Sequence, residues 1–186
     1  KEKQGKHLGF FTDFATKENE EVLLKAGISF VSLAGAKNNL QSEIKDWDFN
    51  AVKNKATDLW NQSLAKIDIE GGTDEERKVF YTSLYHTQID PRVFEDVDGN
   101  YIGGDNVAHQ SKDFTKRTIF SGWDVFRSQF PLQTLINPIL VNDEINSLIQ
   151  MAELSGRKSF PRWEMVNAYS DVMIGNPAVS VIVDAY

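Results

Sequence analysis

The sequence predicts a mainly α fold that opens with a short β segment, and three observations carry that expectation. From about residue 48 onward, apolar residues recur at three- and four-residue spacing. Before about Ala36 the apolar runs are instead rich in β-branched and aromatic residues. The later part is punctuated by helix-start and helix-stop residues: Asp48, Thr73 with Glu76, Gly156, and Asn176 before Pro177. The 186 residues are 41% hydrophobic and include 12 Phe and 4 Trp, enough to bury a core. A net charge of -7 without a basic run argues against nucleic acid as a partner. No apolar run approaches the roughly 20 residues of a membrane span, and Lys1 to Gly9 is too polar for a signal peptide. There is no cysteine for a disulfide, and His7, His86 and His109 lie too far apart for metal-ligand spacing.

Taken in order, Leu8 to Phe14 and Val22 to Ser32 read as two strands around the polar stretch Thr16 to Glu20. A hairpin alone is marginal in water, so the chain is expected to begin inside a larger β-domain. Gly35 to Gln41 breaks the strand pattern. Asp48 then caps a long helix whose stripe is Val52, Ala56, Leu59, Trp60, Leu64 and Ile67. On this pattern Trp47 and Trp60 read as packing residues. Gly71-Gly72 ends that segment, and Thr73-x-x-Glu76 is a capping box for a helix that must stop by Asp90-Pro91. Tyr81 and His86 read as a core aromatic and a helix-end imidazole.

Asp96 to Tyr101 contains D-x-D-G but lacks the glutamate that closes a calcium loop, so Asp98-Gly99 reads as a hairpin turn. Gly103 to Lys116 reads as an irregular polar loop. Gly122 precedes a helix bearing Trp123, Phe126, Arg127 and Phe130, which Pro131 kinks or restarts. Asn142 or Asp143 is the expected cap of the next helix, with Ile145, Leu148, Ile149 and Ala152 inward and Gly156 as its stop. Pro161 to Asp171 reads as loop or short turns, and Asn176-Pro177 opens an apolar helix that runs to Tyr186. An apolar helix at a terminus implies a missing partner, and the sequence reads as cut at both ends.

Two stretches carry candidate chemistry. Thr118 to Arg127 places Trp123, Asp124 and Arg127 within five residues, and Phe160 to Gly175 sets Trp163 beside Arg162 and Glu164. A sugar ring stacks on an indole while its hydroxyls bond to charged groups, so such clusters suit carbohydrate. Arg127, one helical turn along, is expected to buttress Asp124. A core tryptophan beside a helix-start carboxylate fits either stretch alone equally well, so a carbohydrate-binding module and a purely structural helical domain both stay open.

The wording of these stretches resembles glycoside hydrolase family 92, the calcium-dependent exo-acting α-mannosidases. Phe120-Ser121-Gly122-Trp123-Asp124-Val125-Phe126-Arg127 matches its Phe-Ser-x-Trp-Asp-x-x-Arg motif, and Pro161-Arg162-Trp163-Glu164 is followed by Met173-Ile174-Gly175 as in that family. Ala26 to Ser32, Asn39-Leu40, Phe80 to Thr87 and Asp96 to Tyr101 resemble it as well.

The resemblance implies a partial (α/α)6 toroid behind a short β-strand remnant of a β-sandwich. Its boundaries would be the end of the sandwich over 1–41, a linker helix over 42–72 and the first part of the catalytic domain over 73–186. It also implies an inverting hydrolase that removes terminal α-linked mannose from glycans, a bound calcium, and a periplasmic, cell-surface or secreted location. Residue by residue, it assigns Trp123, Asp124, Trp163 and Glu164 to sugar binding, with Arg127 in support. Inverting hydrolysis needs an acid and a base about 6.5–9.5 Å apart. The family's acid lies in Glu-Gly-Asn and its base in Gly-Asn-Asp-Asp; neither stretch occurs here, so no catalytic residue and no calcium ligand is assigned. Gly122 replaces a commoner bulky residue, and Tyr169-Ser170-Asp171 stands where many members have Glu-Thr; both departures bear on leaving-group preference.

Overall fold

The computed structural model describes residues 5, 6, 9 and 11–186. Most of its regular structure is helical, as expected, but the β segment is not where the sequence placed it. Residues 11–32 form no strand; they are mostly exposed, with one turn near Lys17 to Glu20, and only Lys25, Gly27, Ser29 and Val31 are half-buried. An extended run becomes a strand only when a neighbour takes up its N–H and C=O groups, and among the described residues no strand pairs with it. The expected first strand begins with Leu8, which, like Phe10, lies outside the described residues.

Where the sequence shows a broken pattern, the chain forms helix α1 (Leu33–Glu43). The Ser32 hydroxyl accepts from the Gly35 N–H and caps it. Asn39 then ties α1 to distant chain: its amide donates to Ile28 O at 2.8 Å and to Asp96 Oδ1 at 2.7 Å, and its Oδ1 accepts from Val97 N at 2.9 Å. Asp96 also accepts from the Ser29 hydroxyl at 2.8 Å, so this carboxylate is spent on protein donors. Gly35 permits the approach, because a Cβ there would fall 2.2 Å from Asp96 Oδ2. Helix α2 (Phe49–Leu64) carries the expected Asp48 cap, and α3 (Asp74–His86) the expected capping box. Helix α3 ends four residues before Asp90-Pro91, with Thr87 as its C-cap. Tyr81 donates to Ile67 O at 3.3 Å, while His86 is exposed.

Beyond α3 the chain makes three small antiparallel pairings. Strand β1 (Arg92–Val93) pairs with β4 (Arg117–Thr118), and β2 (Asn100–Ile102) with β3 (Ala108–Gln110). The reversal at Asp98-Gly99 stands, with Gly99 at φ 81 and its N–H on Asp96 O at 2.8 Å. The expected loop from Gly103 to Lys116 therefore contains β3. A third sheet orders β5 (Phe120–Ser121), β6 (Trp163–Met165) and β7 (Ala168–Ser170), the last two in the segment from Pro161 to Asp171 expected to be loop or turns.

The core lies under this sheet. Phe120, Phe130, Val141, Leu148, Ala178 and Val181 form one buried cluster. Its helices are α5 (Gln129–Ile136), α6 (Pro138–Leu154) and α7 (Pro177–Ala185). Pro131 sits in the first turn of α5, where a missing N–H costs nothing, so the helix restarts there. Helix α6 begins at Pro138 rather than after Asn142 or Asp143: proline at its first position is pre-set for helix, and both residues lie inside. Leu148 is buried as expected, with Val141, Ser147 and Met151 beside it, whereas Ile145, Ile149 and Ala152 are only half-buried. Gly156 stops α6 at φ 72.

Candidate functional site

Trp123 and Asp124 sit on a single turn of helix, α4 (Gly122–Val125), that follows directly from β5. The Gly122 N–H donates to Arg162 O at 3.0 Å, joining the start of this turn to the chain entering β6. A Cβ at Gly122 would fall 2.4 Å from the Phe120 ring and 2.7 Å from Arg162 O, so a bulkier residue requires that ring to move. The departure from the family's commoner residue is thus matched to the packing of Phe120.

Trp123 is 37% exposed. It borders an open cleft of about 230 Å3 with Phe126, Arg127, Ile174, Gly175, Asn176, Pro177 and Ser180. Arg127 does not buttress Asp124 as expected. Its guanidinium lies over the rings of Trp123, at 5.2 Å, and Phe126, at 4.9 Å. Stacking on two rings keeps a planar cation hydrated on its free side, which favours it over an exposed ion pair. Asp124 is exposed and is held by the Ser121 hydroxyl, which donates to its Oδ2 at 2.6 Å. The other carboxylate oxygen can accept from a ligand hydroxyl.

The second cluster is divided by the sheet. Ser121 faces Trp163 and Phe120 faces Glu164 across the β5–β6 pair. Side chains alternate along a strand, so neighbours in sequence point to opposite faces. Trp163 shares a face with Ser121, is half-buried, and has a buried indole N–H without a partner. Glu164 shares a face with Phe120 and is 2% exposed, so it does not border the cleft. Its carboxylate accepts from the Thr118 hydroxyl at 2.8 Å, the Ile119 N–H at 2.8 Å and the Asn167 N–H. The sequence-predicted wall is therefore split: Trp123 and Asp124 stand open to solvent, Trp163 is half-buried opposite Ser121 on the same face of the sheet, and Glu164 is inside.

Sequence reading missed the buried ionisable group beneath the sheet. Lys116, Asp143 and Glu144 are all buried alongside Glu164. Arg117 donates to Asp143 Oδ2 at 3.3 Å, and Lys116 Nζ donates to Ser147 O at 3.2 Å. Burial, reinforced by the Glu164 charge, pushes the Glu144 carboxyl up to about 8, and its Oε2 has no hydrogen-bond partner. Burial likewise lowers the Lys116 ammonium, against the pull of Glu164 and Glu144. Glu144 occurs in the α6 sequence one residue after Asp143 with nothing to distinguish it; only its place under the sheet perturbs it.

An exposed indole at a cleft, next in the chain to an exposed carboxylate on a mainly helical scaffold, is the kind of surface that suits carbohydrate. The sequence model described as the glycosyl hydrolase family 92 catalytic domain matches residues 35–186, and the chain belongs to that family. The match takes in α1 as well as α2. Among solved structures, the chain is similar to a family GH92 α-mannosidase from Bacteroides thetaiotaomicron, with 34% identity and a TM-score of 0.79 over 83% of this chain and 21% of that one. A structure of that relative in complex with mannoimidazole matches with the same identity and TM-score and is covered over 20% of its length. A family GH92 inverting mannosidase from Bacteroides thetaiotaomicron VPI-5482 is 32% identical, with a TM-score of 0.71 over 84% of this chain and 21% of that one. The chain thus spans about a fifth of the length of these relatives. No curated protein matches it.

Proposed function

We propose that this chain forms part of the mannose-binding wall of an inverting α-mannosidase acting on terminal α-linked mannose, with Trp123 and Asp124 as the direct contacts. The observation that carries this is the exposed pair itself: Trp123 and Asp124 both reach solvent from one turn, and Ser121 orients one oxygen of the Asp124 carboxylate. Trp163 supports the wall from opposite Ser121 on the same face of the sheet. A mannoimidazole complex is known for a relative that is 34% identical, which supports mannose as the ligand class. The helices from α3 onward are read as the first part of an (α/α)6 toroid, with residues 42–72 as its linker. Placement in the periplasm, at the cell surface or outside the cell follows from the family resemblance alone. No catalytic acid or base is assigned to these residues.

Calcium belongs to this reading through the family, and the residues here do not fit it. Among the described residues no group of three His, Cys, Asp or Glu side chains could hold a metal ion. Asp96, the carboxylate nearest to a calcium-loop pattern, is already bonded to Ser29 and Asn39. No step is therefore routed through a metal bound to this chain. Among the same residues no helix is long and apolar enough to cross a membrane.

The test is Asp124→Ala in the complete protein, assayed on an α-mannobiose with calcium present. Losing a hydroxyl contact to a charged group should lower kcat/KM by the equivalent of about 1.5–3 kcal/mol. An unchanged kcat/KM in a folded variant would make Asp124 structural and sink the reading.

A further inference from the structure

Three residues of this chain hold positive φ without being glycine on either side of the candidate wall. Ile119, which joins β4 to β5, has φ 72; Val166 and Asn167, the two-residue turn joining β6 to β7, have φ 51 and 64. Asparagine tolerates that region, but β-branched isoleucine and valine are disfavoured there and stay only where their surroundings hold them. One buried carboxylate and one hydroxyl hold all three. Glu164 accepts from the Ile119 N–H with one oxygen and from the Asn167 N–H with the other. The Thr118 hydroxyl donates to Glu164 and accepts from the Val166 N–H at 2.8 Å. Ile119 is followed immediately by Phe120 and Ser121, and these by the turn that carries Trp123 and Asp124.

We propose that Glu164 is a positioning residue: through Thr118 it locks the strained Ile119 bend against the β6–β7 turn and so sets the angle at which β5 presents Trp123 and Asp124 to the sugar, without touching the sugar itself. The proposal rests on the reading of Trp123 and Asp124 as sugar contacts. The choice of a carboxylate follows from the geometry. Two backbone N–H donors and one hydroxyl converge on it, and a carboxylate offers about four lone-pair directions with no proton to place. A glutamine keeps the shape but turns one acceptor into a donor facing an N–H. Because Glu164 faces the interior beside Phe120, its influence must pass along the backbone of β5.

The experiment measures mannoimidazole affinity and thermal unfolding in the complete protein for Asp124→Ala, Glu164→Gln, Thr118→Val and the Asp124→Ala/Glu164→Gln double variant. Thr118→Val reads the same lock with little change of shape if Glu164→Gln does not fold. Glu164→Gln and Thr118→Val should each weaken binding about tenfold, the scale of one lost charged hydrogen bond. In the double variant the loss should be clearly smaller than the product of the two single losses, because one of the two contacts that Glu164 positions is already gone. Multiplying losses would show that Glu164 acts independently of Asp124 and overturn the proposal. So would a lower unfolding temperature with unchanged affinity, which marks a purely structural carboxylate. Unchanged affinity in Asp124→Ala would remove the sugar-wall reading itself; an Asp124→Ala loss with no Glu164→Gln or Thr118→Val loss would remove the positioning role alone.

Discussion

Helices α2 and α6 are nearly equal in length, 16 and 17 residues, yet α2 buries no residue while α6 buries Val141, Asp143, Glu144, Ser147, Leu148 and Met151. Both have the spacing of an amphipathic helix. Helix α2 has the better cap, with the Asp48 side chain on the Ala51 N–H; the Asn137 side chain makes no cap hydrogen bond to α6. The apolar stripe of α2 meets chiefly the Trp60–Tyr85 edge contact with α3, at 4.6 Å between centroids. That of α6 is covered by α5, α7 and the strands above. A cap and a repeat thus decide that a helix forms; what covers it decides whether it becomes core.

The largest expected contrast lies in truncation of one aromatic from each region. Phe120 is 1% exposed, and Phe120→Ala should cost about 3–5 kcal/mol by transfer and cavity terms. Trp60 is 38% exposed, and Trp60→Ala should cost less than about 1.5 kcal/mol. Urea unfolding of both variants measures this, and equal costs would erase the distinction between the two regions.

Next in size is the pH dependence built into the second region. The Glu144 carboxyl is raised to about 8 in the fold from its ordinary 4.5, so the folded state binds the extra proton between those values. Stability should then fall as pH rises through that window, since unfolding releases a proton that the native state still holds. Glu144→Gln, neutral at every pH, should flatten the slope and stabilise the protein at pH 8 by upwards of about 2 kcal/mol. A slope that survives this substitution would move the titration to another group. Lys116 works in the opposite sense at higher pH, where its lowered ammonium relieves a penalty as pH rises toward its ordinary value.

The smallest effect belongs to the first region. Thr73→Ala removes the hydroxyl that caps α3 and one half of its reciprocal bonding with Glu76. It should cost about 1 kcal/mol. Amide exchange should quicken in the first turn of α3 and not in α6. Quickened exchange in α6 would show that the two regions unfold together.

The helices whose signals lie within a few residues were legible. The Asp48 cap, the Thr73–Glu76 box, the Gly156 stop and the Asn176-Pro177 start all stand where the sequence placed them. Each is a bond or a dihedral preference satisfied inside one turn of chain, so no distant residue can override it cheaply. The family was legible too, from the wording around Trp123 and Trp163.

Helix α1 was hidden because Gly35, Asn38 and Asn39 are poor helix formers. What anchors it is Asn39, bonded to Asp96, which stands 57 positions away. The expected strands before Ser32 had the right composition, but among the described residues none of them pairs with another strand. Strands β6 and β7 were passed over as turns because three residues each are too few to show alternation, so nothing in the sequence separated Trp163 from Glu164, which the family resemblance had assigned to one wall.

Sequence alone thus determined where α2, α3 and α7 start and where α6 stops, which family the chain joins, and that Trp123 and Asp124 travel together on one turn. Only the tertiary structure decided which carboxylate is buried and which is open. Asp124 and Glu164 each follow a tryptophan in the chain, yet one faces solvent and the other accepts three protein donors. The reason is the pleat: pairing β6 against β5 sends successive side chains to opposite faces, and the register Phe120 to Glu164 is set by residues more than forty positions apart.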